Sequence, residues 1–584
     1  MKKYLFYLIA GILLGGLCAC EDQLDRFPKD RLSPENFFRT EEECQLYTND
    51  FYTMFPDGED IYGESADIIA KKTLTSEVLG NRTVPATAGT WSWTKLRDIN
   101  FFLQYSSNCT DEDIRLEYEG LARFFRAWFY FEKVKYYGDV PWVDKPIDAS
   151  DPLLFEKGRD SRELVMQKVI EDLDFAIRYL PVEKSVYRVT RWTALALKSR
   201  ACLFEGTFRK YHGLGNFEDI LNECAAASEQ FISESGYGIY TSGTTPYLDL
   251  FSSLKAIDSE IILARAYNSA IGLKHDVNGY LTSITMGRPG LLKNIANMYL
   301  MKDGTPFTSQ PGWETMSFVE ESLNRDGRFA QTLRTPGYRR IDETTESAPN
   351  LAATMTGYQL VKYLQSAKYD SYNASMNDLP LFRTAEVYLN YAEAKAELGT
   401  LTQNDIDLTI KPLRDRAGVA NLSLDEANAH PDPYLASAET GYANVSGDNA
   451  GVILEIRRER TVELLMENLR YWDIMRWKEG KRFEKPFTGL YFPGTGSYDL
   501  NDDGVDDVCI WSGTKPETEA ITVYELGKDI LLTEGDHGNI IIHTTYTRTW
   551  NEERDYLYPI PTDDRVLTQG AISQNPGWND GLNF

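Results

Sequence analysis

The chain has 584 residues, 42% hydrophobic and 26% charged, a composition that excludes wholesale disorder and leaves ample length for a buried core. Its 88 Asp and Glu outnumber 61 Lys and Arg, for a formal net charge of −27. That balance excludes a nucleic-acid binder, which needs a basic footprint, and electrostatic docking on an anionic lipid surface. Aromatics make up 12% of the chain, including 35 Tyr. Most must pack a core, but the number leaves some free to stack on a ligand.

The chain opens Met1-Lys2-Lys3, runs apolar from Tyr4 to Leu17, and then reads Cys18-Ala19-Cys20. A basic start, a short apolar run and a small-residue end describe a secretory signal over residues 1–19. The run is shorter than the ~20 residues that span hydrocarbon. Its end resembles a bacterial lipobox, which implies cleavage before Cys20 and lipidation of that thiol. Acyl chains then anchor the protein without a spanning segment. Of the other cysteines, Cys44, Cys109, Cys202, Cys224 and Cys509 are odd in number and widely scattered. No Cys-x-x-Cys pair occurs, so neither a disulfide framework nor a zinc site is expected.

Apolar spacing of three and four residues predicts a helix over Asp113–Tyr137, ended by Gly138. Leu121, Phe124, Phe125, Trp128, Phe131 and Val134 form its stripe. Further helices are expected over Ser161–Tyr179 (with Leu164 in its stripe), Thr193–Arg209 and Asn216–Ser233. Three more are expected over Leu381–Leu398, ended by Gly399, Asn404–Ala417, ended by Gly418, and Val452–Lys478. They fall into pairs, with Ala194, Ala196, Ala392 and Ala396 at expected crossings, as in a tetratricopeptide-like solenoid. The intervening stretches are rich in Gly, Thr, Asn, Pro and Tyr. They read as long loops and short strands, and loops this long in a compact protein usually carry function.

Several runs resemble the SusD/RagB family of outer-membrane lipoproteins from glycan-using bacteria. They include Cys20-Glu21-Asp22-Gln23-Leu24-Asp25, Asn36-Phe37-Phe38, and Arg123–Tyr130 leading to Tyr137-Gly138-Asp139-Val140-Pro141. Arg383–Ala394, Glu459-Arg460 with Glu463-Leu464, Glu467–Trp477, Tyr558-Pro559-Ile560-Pro561 and Gln574-Asn575-Pro576-Gly577 continue the series in the family's order. The resemblance implies an all-α, tetratricopeptide-like scaffold with a loop-rich ligand face, in a single domain over 20–584. The helix pairs would occupy about 30–56, 101–235 and 381–480, with ligand-face insertions at about 57–100, 236–380 and 485–550. It also implies capture of oligosaccharide without cleavage, a cell-surface location on the outer membrane, and a SusC-like TonB-dependent transporter as partner. Capture of peptide or glycopeptide is an alternative within the same family.

Glu459, Glu463, Glu467 and Asp473 alternate with Arg457, Arg460, Arg470 and Arg476, which reads as a scaffold salt-bridge network across neighbouring turns. HExxH, GxSxG and a phosphate-cradling Gly loop are absent, and the five His form no i,i+4 pair. No catalytic residue is therefore assigned, and a glycan hydrolase is the weaker alternative. Sugar binding needs exposed ring faces beside amide or charged groups. Trp91, flanked by Gly89-Thr90, is expected to face solvent while Trp93 packs inside. With Arg82, Tyr280 and Trp313 it forms the expected glycan platform. No cofactor is required. One acidic loop, Asp499, Asn501, Asp503, Val505 and Asp507 with Gly504 at the sixth position, has the spacing of a calcium loop, although Ile510 stands where a bidentate Glu is usual. Two readings stay open for this loop: a structural Ca²⁺ site and an uncoordinated acidic turn.

Overall fold

The computed structural model describes residues 37–147 and 151–584. Helix α1 (Glu41–Thr48) and helix α2 (Thr94–Tyr105) precede the long α3 (Glu112–Tyr137). The side chain of Asp111 accepts the backbone N–H of Asp113 and Ile114 and so caps α3. The predicted stripe of α3 is buried: Leu121, Phe124, Phe125, Trp128, Phe131 and Val134 are each at most 7% exposed. Helix α4 (Arg162–Tyr179) starts at Ser161, whose hydroxyl accepts Leu164 N–H. Val165, Val169 and Leu173 are fully buried, but Leu164 is 40% exposed. It sits in the first turn, off the stripe.

Helices α5 (Arg191–His212) and α6 (Phe217–Glu234) form the next pair. A Cβ on Gly206 would come within 2.6 Å of Leu221, so any larger residue would push α5 and α6 apart. Helix α7 (Thr384–Leu398) ends at Gly399 and α8 (Gln403–Ala417) at Gly418, both left-handed as an αL cap requires. Helix α3 packs on α4, α5 on α6, and α7 on α8; α4 also touches α5 and α6 touches α7. The pairs therefore stack along the chain, as in a mostly α tetratricopeptide-like fold.

Two helices depart from the sequence reading. Residues 381–383 belong to a strand, so α7 starts at Thr384. The expected helix over Val452–Lys478 is two helices, α9 (Ala450–Glu463) and α10 (Arg470–Arg476). Between them Met466 and Asn468 have positive φ. Lys362 Nζ donates to Leu465 O at 2.6 Å, Tyr363 Oη to Met466 O at 3.1 Å, and Arg383 Nη2 to Glu463 O at 2.7 Å. These long-range donors capture carbonyls that a continuous helix would use.

The strands are short. β1 (Ile261–Arg265) pairs antiparallel with β2 (Leu379–Arg383). β3 (Phe487–Phe492) pairs with the later β7 (Gly538–Ile542), while β4 (Gly496–Tyr498), β5 (Val508–Trp511) and β6 (Thr522–Glu525) form a second small sheet. All five cysteines of the described residues are free and buried.

The charged run of α9 and α10 is a buried network in which Asp473 and Arg476 pair across one turn, at 2.9 Å, while most other partners are remote in sequence. Glu463, fully buried, accepts from Arg383 Nη1 at 2.6 Å, Arg328 Nη1 at 2.8 Å, and Arg416. Glu467 meets Arg383 at 2.7 Å and Lys362 at 2.8 Å. Arg460 turns to Asp473 and Arg476 to Glu393 and Asp473. Arg470 binds Asp67 at 2.7 Å, and Arg482 binds the same carboxylate. Because Arg470 and Asp67 are far apart in sequence, this pair pins the segment after α1 onto α10.

Candidate functional site: an aromatic cleft between α3, α10 and the N-terminal segment

The C-terminal half of α3 places Trp128, Glu132, Lys135 and Tyr136 on one face, at steps of three and four residues. Facing it are Tyr471 and Trp472 from the start of α10 and Tyr558 from the C-terminal segment. Residues 59–61 and 63–65, Lys71, Glu77, Arg200 and Pro380-Leu381 close the walls around a cleft of about 730 Å³. That volume lies within the range of small-ligand sites.

The rings are braced edge to face. Tyr136 lies 4.7 Å from Trp472 and 4.8 Å from Tyr558, centroid to centroid, and Tyr471 lies 5.1 Å from Trp472. Lys135 Nζ sits 4.4 Å over the Trp472 ring and pairs with Glu132 at 2.7 Å. Arg200 is held by Glu386 at 2.6 Å, and Glu77 accepts from Tyr558 Oη at 3.1 Å. The lining thus sets half-buried Tyr136 and Tyr558, with Trp128, Tyr471 and Trp472 at 7–9% exposure, beside carboxylate, ammonium and guanidinium groups. Such a mixture suits C–H-rich pyranose faces and their hydroxyls.

Glu64 is the most perturbed acid in this wall. It is 3% exposed, and Oε1 accepts backbone N–H from Arg470 and, at 3.3 Å, from Tyr471. Burial pushes its pKa up to about 8, against the lowering effect of those amides. A raised carboxyl in a cleft is the usual mark of a general acid. Here, however, Oε1 is spent on backbone and Oε2 is shut away from solvent without a partner, so neither oxygen can reach a glycosidic bond. A folded pKa above the unfolded value near 4.3 favours folding below that value and costs stability as pH rises through about 8. Glu64→Gln keeps the accepting oxygen and removes the charge. It should melt with the parent at pH 5 and several degrees above it at pH 9, in a calorimetric scan.

The expected platform is not assembled as an exposed face. Trp91 is 2% exposed, packed edge-on against Tyr137 at 4.6 Å, whereas Trp93 is half-buried. The two are thus reversed from the reading of their flanks, because Tyr137 of α3 covers Trp91. Arg82 is 7% exposed, 4.3 Å over the Tyr558 ring and ion-paired to Asp555 at 3.4 Å. Tyr280 is 2% exposed against Tyr62 at 5.4 Å. None of the three lines the cleft; Arg82 alone packs against one of its residues, Tyr558. Trp313, half-buried, lies elsewhere, 5.8 Å from Tyr434. Trp313 is not among the residues lining the cleft. The rings that do face the cleft were hidden in the helical stripe and family-like runs. A Glu between Trp128 and Tyr136 on one helix face was the available signal, since a core stripe does not carry an acid.

A family model described as the SusD family matches residues 268–578, more than half of the chain. The chain belongs to the SusD family. A second model, described as starch-binding and associating with the outer membrane, matches residues 48–203 of this SusD-family chain. It is 22% identical over 79% of its length to the SusD-like protein P25 of Formosa agariphila, 87% of which is covered. With the SusD-like protein P2 of the same organism it shares 24% identity, covering 83% of this chain and 93% of the relative. A SusD-like carbohydrate-binding protein of Bacteroides fragilis has the same fold, with a TM-score of 0.67, 20% identity, and coverage of 92% of this chain and 99% of that one. A second Bacteroides fragilis SusD-like structure aligns at a TM-score of 0.67 and 21% identity, covering 93% and 98%. No helix among the described residues is long and apolar enough to cross a membrane. Cys20, the expected lipidation site, lies outside the described residues.

Proposed function

We propose that this SusD-family protein captures oligosaccharide in the cleft between α3 and α10 and delivers it to a SusC-like TonB-dependent transporter. In this reading it is a cell-surface lipoprotein of the outer membrane, held by acyl chains on Cys20. The observation that carries the binding role is the cleft itself: about 730 Å³ floored by Trp128, Tyr136, Tyr471, Trp472 and Tyr558. The family model described as starch-binding and associating with the outer membrane supports both ligand class and location. Stacking holds the sugar rings, and the lipid tether keeps bound ligand at high local concentration beside the transporter mouth.

The ties on three of the lining acids support capture without cleavage: Glu467 is committed to Lys362 and Arg383, Glu132 to Lys135, and Glu77 to Tyr558, while Glu59 and Asp60 are exposed at the cleft wall. A hydrolase needs two such groups free across the scissile bond, about 5–10 Å apart. Titrating the protein with a panel of oligosaccharides and peptides tests this reading. Heat of binding with glycans and no new reducing ends is the expected result. Binding confined to peptides would replace the ligand class, and release of reducing sugar would overturn the non-catalytic role.

A further inference from the structure

We infer that the cleft between α3 and α10 selects neutral oligosaccharides and rejects those bearing uronate or sulfate groups. The inference rests on the glycan-capture reading and narrows its ligand class. Holding a carboxylate or a sulfate takes a cation, or a set of backbone N–H groups, that the protein has not already spent. Among the described residues three cations line the cleft, Lys71, Lys135 and Arg200.

Each of the three is answered from within the protein. Arg200 gives Nε to Glu386 at 2.7 Å, and Nη2 to Glu386 and Leu381 O at 2.6 and 2.8 Å. Lys135 is 8% exposed and pairs with Glu132 at 2.7 Å. Lys71 Nζ donates to Gly63 O at 2.7 Å. Burial lowers the Lys71 pKa and the Glu59 charge opposes that shift, so this ammonium already sits in a carboxylate's field. The amides that open α10 are spent as well, because Glu64 Oε1 accepts N–H from Arg470 and Tyr471.

The charge left over is negative. Glu59 and Asp60 stand exposed on the cleft wall, and among the described residues neither forms an ion pair. Glu77 accepts from the Tyr558 hydroxyl at 3.1 Å, a neutral donor. The chain's net charge of −27 adds a wider field of the same sign. A side pocket of about 230 Å³ adjoins the cleft and shares Glu77, Thr90 and Tyr558 with it. It is lined by exposed Ser76, Asn81 and Thr83, whose hydroxyl and amide groups both donate and accept, as sugar hydroxyls do. Its cation, Arg82, is paired with Asp555 at 3.4 Å, and Nε and Nη1 are shut away from solvent. Both cavities thus meet hydroxyls readily, and neither offers an uncommitted cation to an acidic sugar.

The test is calorimetric titration of the full chain with gluco-, manno- and galacto-oligosaccharides, each in three forms. These are the neutral chain, the same chain with primary hydroxyls oxidised to carboxylates, and the methyl ester of that product, which keeps the shape and removes the charge. For the chain that binds best, the carboxylated form should bind at least tenfold more weakly than the neutral one, and the ester should recover most of the loss. The gap should narrow in about 1 M salt, where the screening length falls to about 3 Å. It should also narrow in the Glu59→Gln, Asp60→Asn double variant, whose fold thermal melts verify. Carboxylated chains that bind as tightly as neutral ones or more tightly, or an ester as weak as the acid, would overturn the selectivity and leave glycan capture standing. No binding of any chain in any form would overturn capture itself, and the selectivity with it.

Discussion

Replacing Glu463 with Ala should destabilise the protein by about 3–5 kcal/mol, read by denaturant unfolding at neutral pH. Glu463 is fully buried and is the shared acceptor of Arg328, Arg383 and Arg416. Arg383 and Arg416 also share Glu260, at 3.0 and 2.9 Å. Removing the one carboxylate takes an anion from three buried guanidinium groups at once: Arg328 keeps Asp326 and Glu459 and Arg383 keeps Glu467, while Arg416 is left to share Glu260 with Arg383. The cost lies in that uncompensated charge rather than in the net worth of any single pair. Burial alone would push the Glu463 carboxyl up, but Arg416, Arg383 and Arg328 hold it well below the usual range. A depressed folded value stabilises above the unfolded pKa near 4.3 and is lost as pH falls through the folded one. The parent should therefore lose stability on acidification below about pH 5, and Glu463→Ala should show a flatter acid limb. An equally steep acid limb in the variant would assign acid unfolding to other carboxylates.

Tyr136→Leu should weaken oligosaccharide binding about tenfold or more, while Tyr136→Phe keeps most of it. Tyr136 is a half-buried residue of the cleft lining, braced by Trp472 at 4.7 Å and Tyr558 at 4.8 Å. A flat ring lies along a pyranose face; a branched aliphatic of similar apolarity does not. Tenfold corresponds to about 1.4 kcal/mol, a reasonable share for one stacked ring. Trp472→Ala should cost more affinity but also some stability, because Trp472 also packs against Phe204 and carries Lys135 over its face. The Leu and Phe variants separate loss of the ring face from loss of packing. Equal affinity in Tyr136→Leu and parent would place the sugar on another surface.

The helix pairs were legible because their signals are local. The apolar stripe from Leu121 to Val134, the Ser161 cap and the αL stops at Gly399 and Gly418 all act within a turn or two. The break between α9 and α10 was not legible, because Lys362, Tyr363 and Arg383 reach its carbonyls from distant strands and loops. The same holds for Trp91. Its neighbours Gly89 and Thr90 read as an open turn, yet Tyr137 of α3 closes over it. In the cleft the difficulty is different. Trp128 and Tyr136 carry the periodicity of a core stripe, and only the fold shows that the segment from Glu59 to Lys71 and the start of α10 leave a gap over them.

A crystal structure of the protein with a bound oligosaccharide tests the glycan-capture reading most directly. The expected result is a sugar ring lying on Tyr136 and Trp472 in the cleft between α3 and α10, with its hydroxyls toward Glu77, Glu132 and Arg200. A sugar bound on another face, with the cleft filled only by solvent, would contradict it.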